Sequence, residues 1–246
     1  MENKKKMTNW YKNWFDSEYY HILYNKRDHN EAELFINNLL KILLPNKKAY
    51  FLDLCCGKGR HSILLNKMGY KVDGMDLSIN SIEQALREKR NNLNFFVRDM
   101  RQINEHSKYD YILNLFTSFG YFNDTKDNHL VINGVTKALK KGGLFVIDFL
   151  NIKKTLKKLT KSEKIKINEI NFYIKRWSDL NFLYKKIEFK EKTKKFEFTE
   201  RIQLLNKEEI INLCSKSNLK NISTFGDYQL NDFNENSERL ILLFKK

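Results

Sequence analysis

The chain has 246 residues, of which 41% are hydrophobic and 30% are charged, and its formal net charge is +15 at pH 7. This length can bury a sizeable core, and we expect one domain with an elaboration rather than two equal domains. No apolar run is long enough to span a membrane, and the basic first residues lack the apolar segment of a secretion signal. We therefore predict a cytoplasmic protein that has no membrane partner.

The three cysteines do not form a disulfide framework. Cys55 and Cys56 are adjacent, Cys214 is distant in sequence, and no second pair exists to complete a zinc site. Adjacent cysteines in a reducing compartment are usually small buried residues. The sequence therefore predicts neither redox chemistry nor a metal site.

The positive charge is concentrated in residues 151–206, which hold 16 Lys/Arg and 7 Asp/Glu. Such a segment suits nucleic acid, but a lysine-rich composition also produces it through solvated surface lysines. We favour solvated lysines, because they are interleaved with glutamates rather than arranged as an arginine-rich stripe.

The first third of the chain contains an aromatic segment followed by an alternation of elements. Residues 8–25 are rich in aromatic side chains, and Leu34, Phe35, Leu39 and Leu43 have helical spacing before Pro45. From residue 49, apolar runs of strand length alternate with helical patterns. The predicted strands are AYFLDL, YKVDGMDL, LNFFVRDM, the start of YDYILNLFTSFGYF, and LFVIDFL.

Three residue patterns predict helix ends. Ser78 is placed to cap the helix after the second strand, and Gly142-Gly143 to end the helix before the fifth. Asn206 and Glu209 are spaced as a capping box for a late helix.

After residue 150 the pattern changes to three stretches of period-two alternation, which predict an antiparallel meander. A helix and two closing strands follow. The predicted fold is α/β, with a Rossmann-like seven-stranded mostly parallel sheet, helices on both faces and an inserted antiparallel β cap. We divide the chain into an N-terminal helical segment (1–48), a core (49–150), the basic cap (151–205) and closing elements (206–246).

Right-handed crossovers bring the carboxyl ends of the first four strands to one edge, where ligands bind in such sheets. Glycines there let the backbone approach a ligand, and a carboxylate suits ribose hydroxyls. An aspartate also accepts from an exocyclic amine beside a methionine that packs on a base. These features predict a pocket for an adenosine that carries an anionic tail. The residues concerned are Asp53, Cys55, Gly57, Gly59, Asp76, Asp99 and Met100.

For Asp53 the pattern leaves two roles open. The aspartate either holds the glycine loop in place or contacts the ligand directly.

The pattern Asp53-x-Cys55-x-Gly57-x-Gly59 resembles the first-strand motif of the class I S-adenosylmethionine-dependent methyltransferases, with Cys55 in place of the first glycine. The stretches GKGRHS and LNKMGYKVDGMDLS are similar to the small-molecule branches, among them the methyltransferase-domain 25-like and tellurite-resistance-like ones. The resemblance covers residues 49–150 and extends to the closing elements.

The resemblance implies that the cofactor is S-adenosylmethionine and the product S-adenosylhomocysteine. Gly57 and its neighbours would line the methionine moiety, and Asp76 would hold the ribose hydroxyls. Asp99 would meet the adenine amine, with Leu77 and Met100 flanking the ring.

Two further sets of residues follow from the resemblance. Asn114 and Leu115 would lie beneath the methionine tail. Tyr20, His21 and Tyr24 would belong to an N-terminal segment that closes over the cofactor; simple packing of this aromatic segment on the cap is the alternative. Independently of the resemblance, the candidate acid–base or orienting groups are Tyr20, His21, Tyr121 and Asp148.

Methyl transfer is an in-line displacement and needs a general base only when the acceptor is protonated. The chain lacks both the Asn/Asp-Pro-Pro-aromatic motif and the proline–cysteine nucleophile of nucleic-acid methyltransferases. We therefore predict a small-molecule acceptor methylated at nitrogen or oxygen. The charge of residues 151–206 suggests an anionic acceptor, and the cap would shape its pocket.

Three alternatives stay open at the level of sequence. One is an RNA-modifying or RNA-binding protein that uses the basic cap. Another is an NAD-type oxidoreductase, although the third glycine of that fingerprint would fall at Ser62. The third is a non-catalytic cofactor-binding module. That module would use the meander as a dimer interface. The chain itself is predicted to be a monomer or a homodimer.

Overall fold

The computed structural model describes residues 10–24, 29–88 and 90–246, so the basic first residues lie outside the described part. Within residues 10–24 and 29–43, the structure shows three helices before the sheet: α1 (Trp10–Phe15), α2 (Glu18–Leu23) and α3 (His29–Leu43). Ser17 is the N-cap of α2, since its side chain accepts a hydrogen bond from the Tyr20 amide.

The core alternates strands with helices, as the sequence predicts. Its elements are β1 (Tyr50–Leu54), α4 (Arg60–Lys67), β2 (Lys71–Asp76), α5 (Ile79–Ala85), β3 (Leu93–Val97), β4 (Tyr109–Asn114), α6 (Thr125–Ala138) and β5 (Leu139–Leu150). A short 3₁₀ turn, Met100–Gln102, follows β3.

The remaining elements form the cap and close the sheet. They are α7 (Ile152–Lys157), β6 (Ser162–Ile167), β7 (Ile170–Ser178), β8 (Phe182–Glu191), β9 (Lys194–Gln203), α8 (Lys207–Ser215), β10 (Lys220–Phe225) and β11 (Arg239–Lys245).

The main sheet has seven strands in the order β10-β11-β5-β4-β1-β2-β3. Strands β1 to β5 pair in parallel, and β11 is antiparallel to both β5 and β10. This topology confirms the predicted Rossmann-like sheet and places the carboxyl ends of β1 to β4 at one edge.

Helices cover both faces of the sheet. On one face, Phe35 and Leu39 of α3 pack with Leu65 of α4. On the other, Val131 and Val135 of α6 belong to a cluster that includes residues of α1, of α2 and of the cap. The predicted apolar stripe of α3 is correct except for Leu34, which is exposed because it lies beside the stripe. Among the described helices, none is long and apolar enough to cross a membrane.

The cap is a four-stranded antiparallel sheet, β6-β7-β8-β9. The sequence predicted three of its strands and missed β6. The sequence of β6 is SEKIKI, in which only two apolar residues stand among charged ones, so its alternation is weak. Of its apolar residues, Ile167 is buried.

Two of the predicted helix ends are confirmed. The Ser78 hydroxyl accepts from the Ser81 amide at 3.0 Å. Asn206 and Glu209 form the reciprocal capping box.

The predicted end of α6 at Gly142-Gly143 is wrong, because α6 ends at Ala138 and β5 begins at the next residue. Gly142 has a φ of +78° inside β5, where the pairing of β5 with β4 shifts register. These glycines therefore form an irregularity in a strand rather than a helix terminus.

Candidate active site

A cavity of about 420 Å³ lies at the carboxyl ends of the core strands, beneath α1 and α2. Most of the residues predicted for the site line it. These are Tyr20, His21, Tyr24, Asp53, Cys55, Gly57, Asp76, Leu77, Asp99, Met100 and Leu115. Gly59 and Asn114 are not among the lining residues.

The two glycines of the loop after β1 have different functions. Both have positive φ, +55° for Gly57 and +78° for Gly59. A Cβ added at Gly57 would meet no protein atom within 4 Å, whereas one at Gly59 would lie 2.6 Å from the Phe95 ring. Gly57 therefore leaves open space at the cavity wall, and Gly59 permits close packing behind it.

Cys55 occupies the position of the first glycine of the motif, and its φ of +65° explains why glycine suits that position. Its Sγ lies 3.5 Å from the Met100 Sδ. Burial raises the pKa of both Cys55 and Cys56 well above the ordinary value, which disfavours a nucleophilic thiolate. Cys55, Cys56 and Cys214 are free thiols.

Asp53 is the penultimate residue of β1 and is fully buried. The Ser62 hydroxyl donates to its Oδ2 at 2.6 Å. This hydrogen bond corresponds to the structural role, one of the two roles that the sequence left open for Asp53. Burial raises the pKa of Asp53 to about 6, although the hydrogen bonds from Ser62 oppose the rise. Asp53 also lines the cavity, so both roles remain compatible with its position.

Asp76 ends β2 and holds the glycine loop. The Gly57 amide donates to its Oδ2 at 2.8 Å, and the Ser78 amide donates to its Oδ1 at 2.8 Å. Burial raises the pKa of Asp76 despite these bonds. Because each carboxylate oxygen accepts more than one hydrogen bond, Asp76 retains acceptor capacity for hydroxyl donors in the cavity.

Asp99 has a partner that the sequence analysis missed. Arg101 donates from its backbone amide and from Nε to Oδ1, at 2.9 and 3.0 Å, and from Nη2 to Oδ2 at 2.6 Å. Burial alone would raise the pKa of Asp99, but the hydrogen bonds from Arg101 lower it. An incoming amine would therefore share the Asp99 carboxylate with Arg101. The sequence signal was the arginine two positions along the chain.

The N-terminal segment is fastened to the loop that follows Asp76. The Ser78 hydroxyl and the Asn80 amide donate to the Asp16 Oδ1 at 2.7 and 2.9 Å. This contact holds α2 over the cavity, and the His21 Nε2 lies 3.4 Å from the Ser81 Oγ.

The cap also contacts the N-terminal segment. The Tyr24 hydroxyl donates to the Glu200 Oε1 at 2.7 Å and accepts from the Lys185 Nζ at 2.6 Å. The Trp14 Nε1 donates to the same Glu200 oxygen at 2.6 Å. Among the described residues that line the cavity, none belongs to 151–205. The cap therefore supports the segment and does not form the cavity wall, contrary to the expectation that it shapes the acceptor pocket.

Two acid–base candidates differ in position. Tyr121 lines the cavity, and its hydroxyl donates to the Thr117 carbonyl. Asp148 lies in the core and does not line the cavity. The Phe116 amide and the Arg239 Nε each donate a hydrogen bond to Asp148 at 2.8 Å. Asp148 therefore has a structural role in the core.

Sequence reasoning missed a cationic and aromatic group at the start of α4. Arg60 and His61 line the cavity with Phe116, and the Arg60 guanidinium carbon lies 4.6 Å from the centre of the Phe116 ring. Arg60 follows the glycine loop directly, which is the available sequence signal, because a helix N-terminus already favours an anion.

Comparison with known proteins agrees with this geometry. A family model described as a methyltransferase domain matches residues 45–224. A glycine/sarcosine N-methyltransferase from Parasynechococcus marenigrum is 29% identical over 140 residues, covering 55% of this chain and 48% of that protein. The chain spans about half the length of the curated relatives it matches.

Solved structures share the fold over most of the chain. An S-adenosylmethionine-dependent methyltransferase from Clostridium acetobutylicum has a TM-score of 0.77 at 20% identity, covering 92% of this chain and 95% of that one. A sugar N-methyltransferase from Streptoalloteichus has a TM-score of 0.73 at 16% identity, covering 92% of each chain. Since the family model covers well over half of the sequence, the chain belongs to the methyltransferase domain family, within the class I S-adenosylmethionine-dependent methyltransferases.

Proposed function

We propose that this protein transfers the methyl group of S-adenosylmethionine to a nitrogen atom of a small molecule. The observation that carries the proposal is the Asp76–Gly57 hydrogen bond at the wall of a cavity of about 420 Å³. This volume lies in the range of small-molecule pockets. The names of two relatives, a glycine/sarcosine and a sugar N-methyltransferase, support nitrogen over oxygen.

The residues present fit the cofactor. Open space above Gly57 admits a ligand, and Asp76 would accept hydrogen bonds from the two ribose hydroxyls. Leu77 and Met100 would flank the adenine, and Arg60 would pair with the carboxylate of the methionine tail. Bound there, the cofactor supplies an activated methyl group on a positively charged sulfur.

The acceptor side of the cavity is aromatic. Phe15, Tyr20, Tyr24 and Tyr121 line it. Aromatic rings exclude water and attract cations through their faces. Positive charge develops on an amine nitrogen as it accepts a methyl group, so these rings would stabilise that charge and align the amine.

An amine that is protonated at neutral pH must lose a proton before it attacks. We assign the role of general base, which accepts this proton, to His21. His21 lines the cavity beside Ser81. A neutral imidazole accepts a proton near neutral pH, and the Ser81 hydroxyl would orient the ring. Tyr20 would orient the acceptor.

Two expectations from the sequence, an anionic acceptor and the alternative of an oxidoreductase, lose support. The cap cations that suggested an anionic acceptor do not line the cavity, so we do not propose that the acceptor is anionic. Membership in the methyltransferase family argues against an NAD-type oxidoreductase. A cytoplasmic location and a monomeric or homodimeric state remain predictions.

The test is formation of S-adenosylhomocysteine from S-adenosylmethionine with a panel of small amines, such as glycine, sarcosine and amino sugars, and matched hydroxyl compounds. We expect turnover with an amine, and loss of that turnover in Asp76→Ala. The matched control is Glu33→Ala, which removes an exposed carboxylate on α3 and should leave turnover unchanged. Turnover with hydroxyl acceptors alone, or turnover that Asp76→Ala does not reduce, would contradict the proposal.

A further inference from the structure

The solvent face of the cap sheet has features that methyl transfer does not use. Successive side chains of a strand point to opposite faces of its sheet. Phe172 and Ile174 of β7 and Ile187 of β8 are buried against the core, so the alternate positions face outward. We call this surface the outer cap face and define it by Lys164, Tyr173, Lys175, Trp177, Tyr184 and Lys186, together with the two carboxylates beside Lys186, Glu188 and Glu197.

Aromatic rings lie exposed on the outer cap face. Tyr173 is 50% exposed and Trp177 is 43% exposed. Trp177 pairs with Tyr184 across β7 and β8, and the two rings stack with centroids 5.1 Å apart and planes 6° from parallel. Exposed flat rings of this kind are the platforms on which unpaired nucleic-acid bases stack.

Lysines alternate with these rings. Lys175 stands between Tyr173 and Trp177 on the same face of β7, and the Lys164 Nζ lies 5.3 Å from the centre of the Tyr173 ring. In the part of the chain that the structure describes, neither lysine has a carboxylate within ion-pair distance. The carboxylates of Glu188 and Glu197 each lie 3.0 Å from Lys186, so they are already paired.

These rings and lysines indicate which kind of partner fits the outer cap face. A second copy of the chain would place two positively charged faces together, and the cores of protein interfaces are depleted of lysine. A single-stranded polyanion with exposed bases satisfies both the rings and the lysines, whereas a duplex hides its base faces. Glu188 lies directly opposite Tyr173, and its contact with Lys186 is through Oε1. Its second carboxylate oxygen would accept from a 2′-hydroxyl, a donor that DNA lacks.

We propose that the outer cap face binds single-stranded RNA. Bases stack on Trp177 and Tyr173, and Lys164 and Lys175 contact the phosphates. This binding is independent of the cavity and of the methyl acceptor proposed above.

The test is the fluorescence anisotropy of a labelled oligouridylate titrated with the protein at several salt concentrations. Loss of one stacking platform in Trp177→Ala should weaken binding about tenfold. The double variant Lys164→Glu/Lys175→Glu should also lower the slope of log affinity against log salt by about 1.4, since each phosphate contact to a single strand contributes about 0.7.

The matched control is Lys47→Glu/Lys48→Glu, which makes the same charge change at exposed lysines outside the cap. Thermal stabilisation by S-adenosylmethionine shows that each variant is folded. The proposal is overturned by an equal loss of affinity in the control, by unchanged affinity in Trp177→Ala, or by binding of DNA or duplex RNA as tight as that of single-stranded RNA.

Discussion

Two aspartates of the same strand, Asp73 and Asp76, differ in their surroundings. Asp73 lies toward the amino ends of the core strands. Burial alone would raise the pKa of Asp73, but its donors lower it. Burial raises the pKa of Asp76, whose hydrogen bonds come from backbone amides. The donors to Asp73 are Tyr50, Asn94, Lys108 and Tyr109, at 2.7 to 2.9 Å.

The difference between the two aspartates indicates that one end of β2 contributes to stability and the other end to ligand binding. At the amino end, a saturated carboxylate ties β1, β2, β3 and the start of β4 together and has little capacity for another partner. At the carboxyl end, a carboxylate with a raised pKa keeps acceptor capacity toward a cavity. Perturbed carboxylates at this edge of a parallel sheet are typical of ligand sites.

The largest expected effect is that of Asp73→Ala. Removing one partner of a buried charged network should lower the free energy of unfolding by about 3–5 kcal/mol, because the tyrosine hydroxyls lose their acceptor. Urea denaturation of the ligand-free protein measures it. Asp76→Ala should cost less than about 1.5 kcal/mol, since the freed amides line a cavity that water enters. Equal losses of unfolding free energy in Asp73→Ala and Asp76→Ala would contradict the assignment of stability to the amino end and of ligand binding to the carboxyl end.

Within the carboxyl end, Gly59→Ala and Gly57→Ala should separate packing from binding. At Gly59, strain from a positive φ and overpacking against Phe95 together should cost about 2–4 kcal/mol of unfolding free energy. Gly57→Ala should cost only the strain, yet abolish cofactor binding by filling the cavity wall. Gly69→Ala, with a φ of +95° and no neighbour within 4 Å, is the control for strain alone. A Gly59 variant no less stable than the Gly69 control would show that the Phe95 ring yields at no cost.

The carboxyl end should also give a pH dependence. Because the pKa of Asp53 rises to about 6 on folding, from an unfolded value near 4, its contribution to stability is complete below pH 4 and is lost as the pH rises through 6. Asp53→Asn removes this titration. The wild type should lose about 2–3 kcal/mol relative to the variant between pH 4 and pH 7, in urea unfolding of the ligand-free protein. A difference that stays constant over this range would mean that Asp53 titrates normally.

The sequence predicted the site best where the topology determined it. Once the strands are parallel, Asp53, Asp76 and Asp99 must reach one edge, and no knowledge of packing is needed for that conclusion. The same reasoning could not foresee that Arg101 engages Asp99, because that contact depends on side-chain geometry after the strand ends.

The sequence analysis could not predict contacts between residues that are far apart in the chain. The basic cap was expected to shape the acceptor pocket, but it contacts the N-terminal segment through Glu200 and Lys185 instead. These contacts join residues more than 150 positions apart, and local periodicity carries no information about them. The weak strand β6 and the strand glycine Gly142 were misread for a related reason, since neighbouring strands rather than local propensity fix both.

The most direct test of the account is the thermal stability of the wild type and of Asp76→Ala with S-adenosylmethionine, S-adenosylhomocysteine and NADH. At one hundred times its dissociation constant, S-adenosylmethionine should stabilise the wild type by about 2.7 kcal/mol. Asp76→Ala should lose most of this gain, and Glu33→Ala should keep it. Stabilisation by NADH alone, or an undiminished response to S-adenosylmethionine in Asp76→Ala, would contradict the assignment of the carboxyl-end cavity.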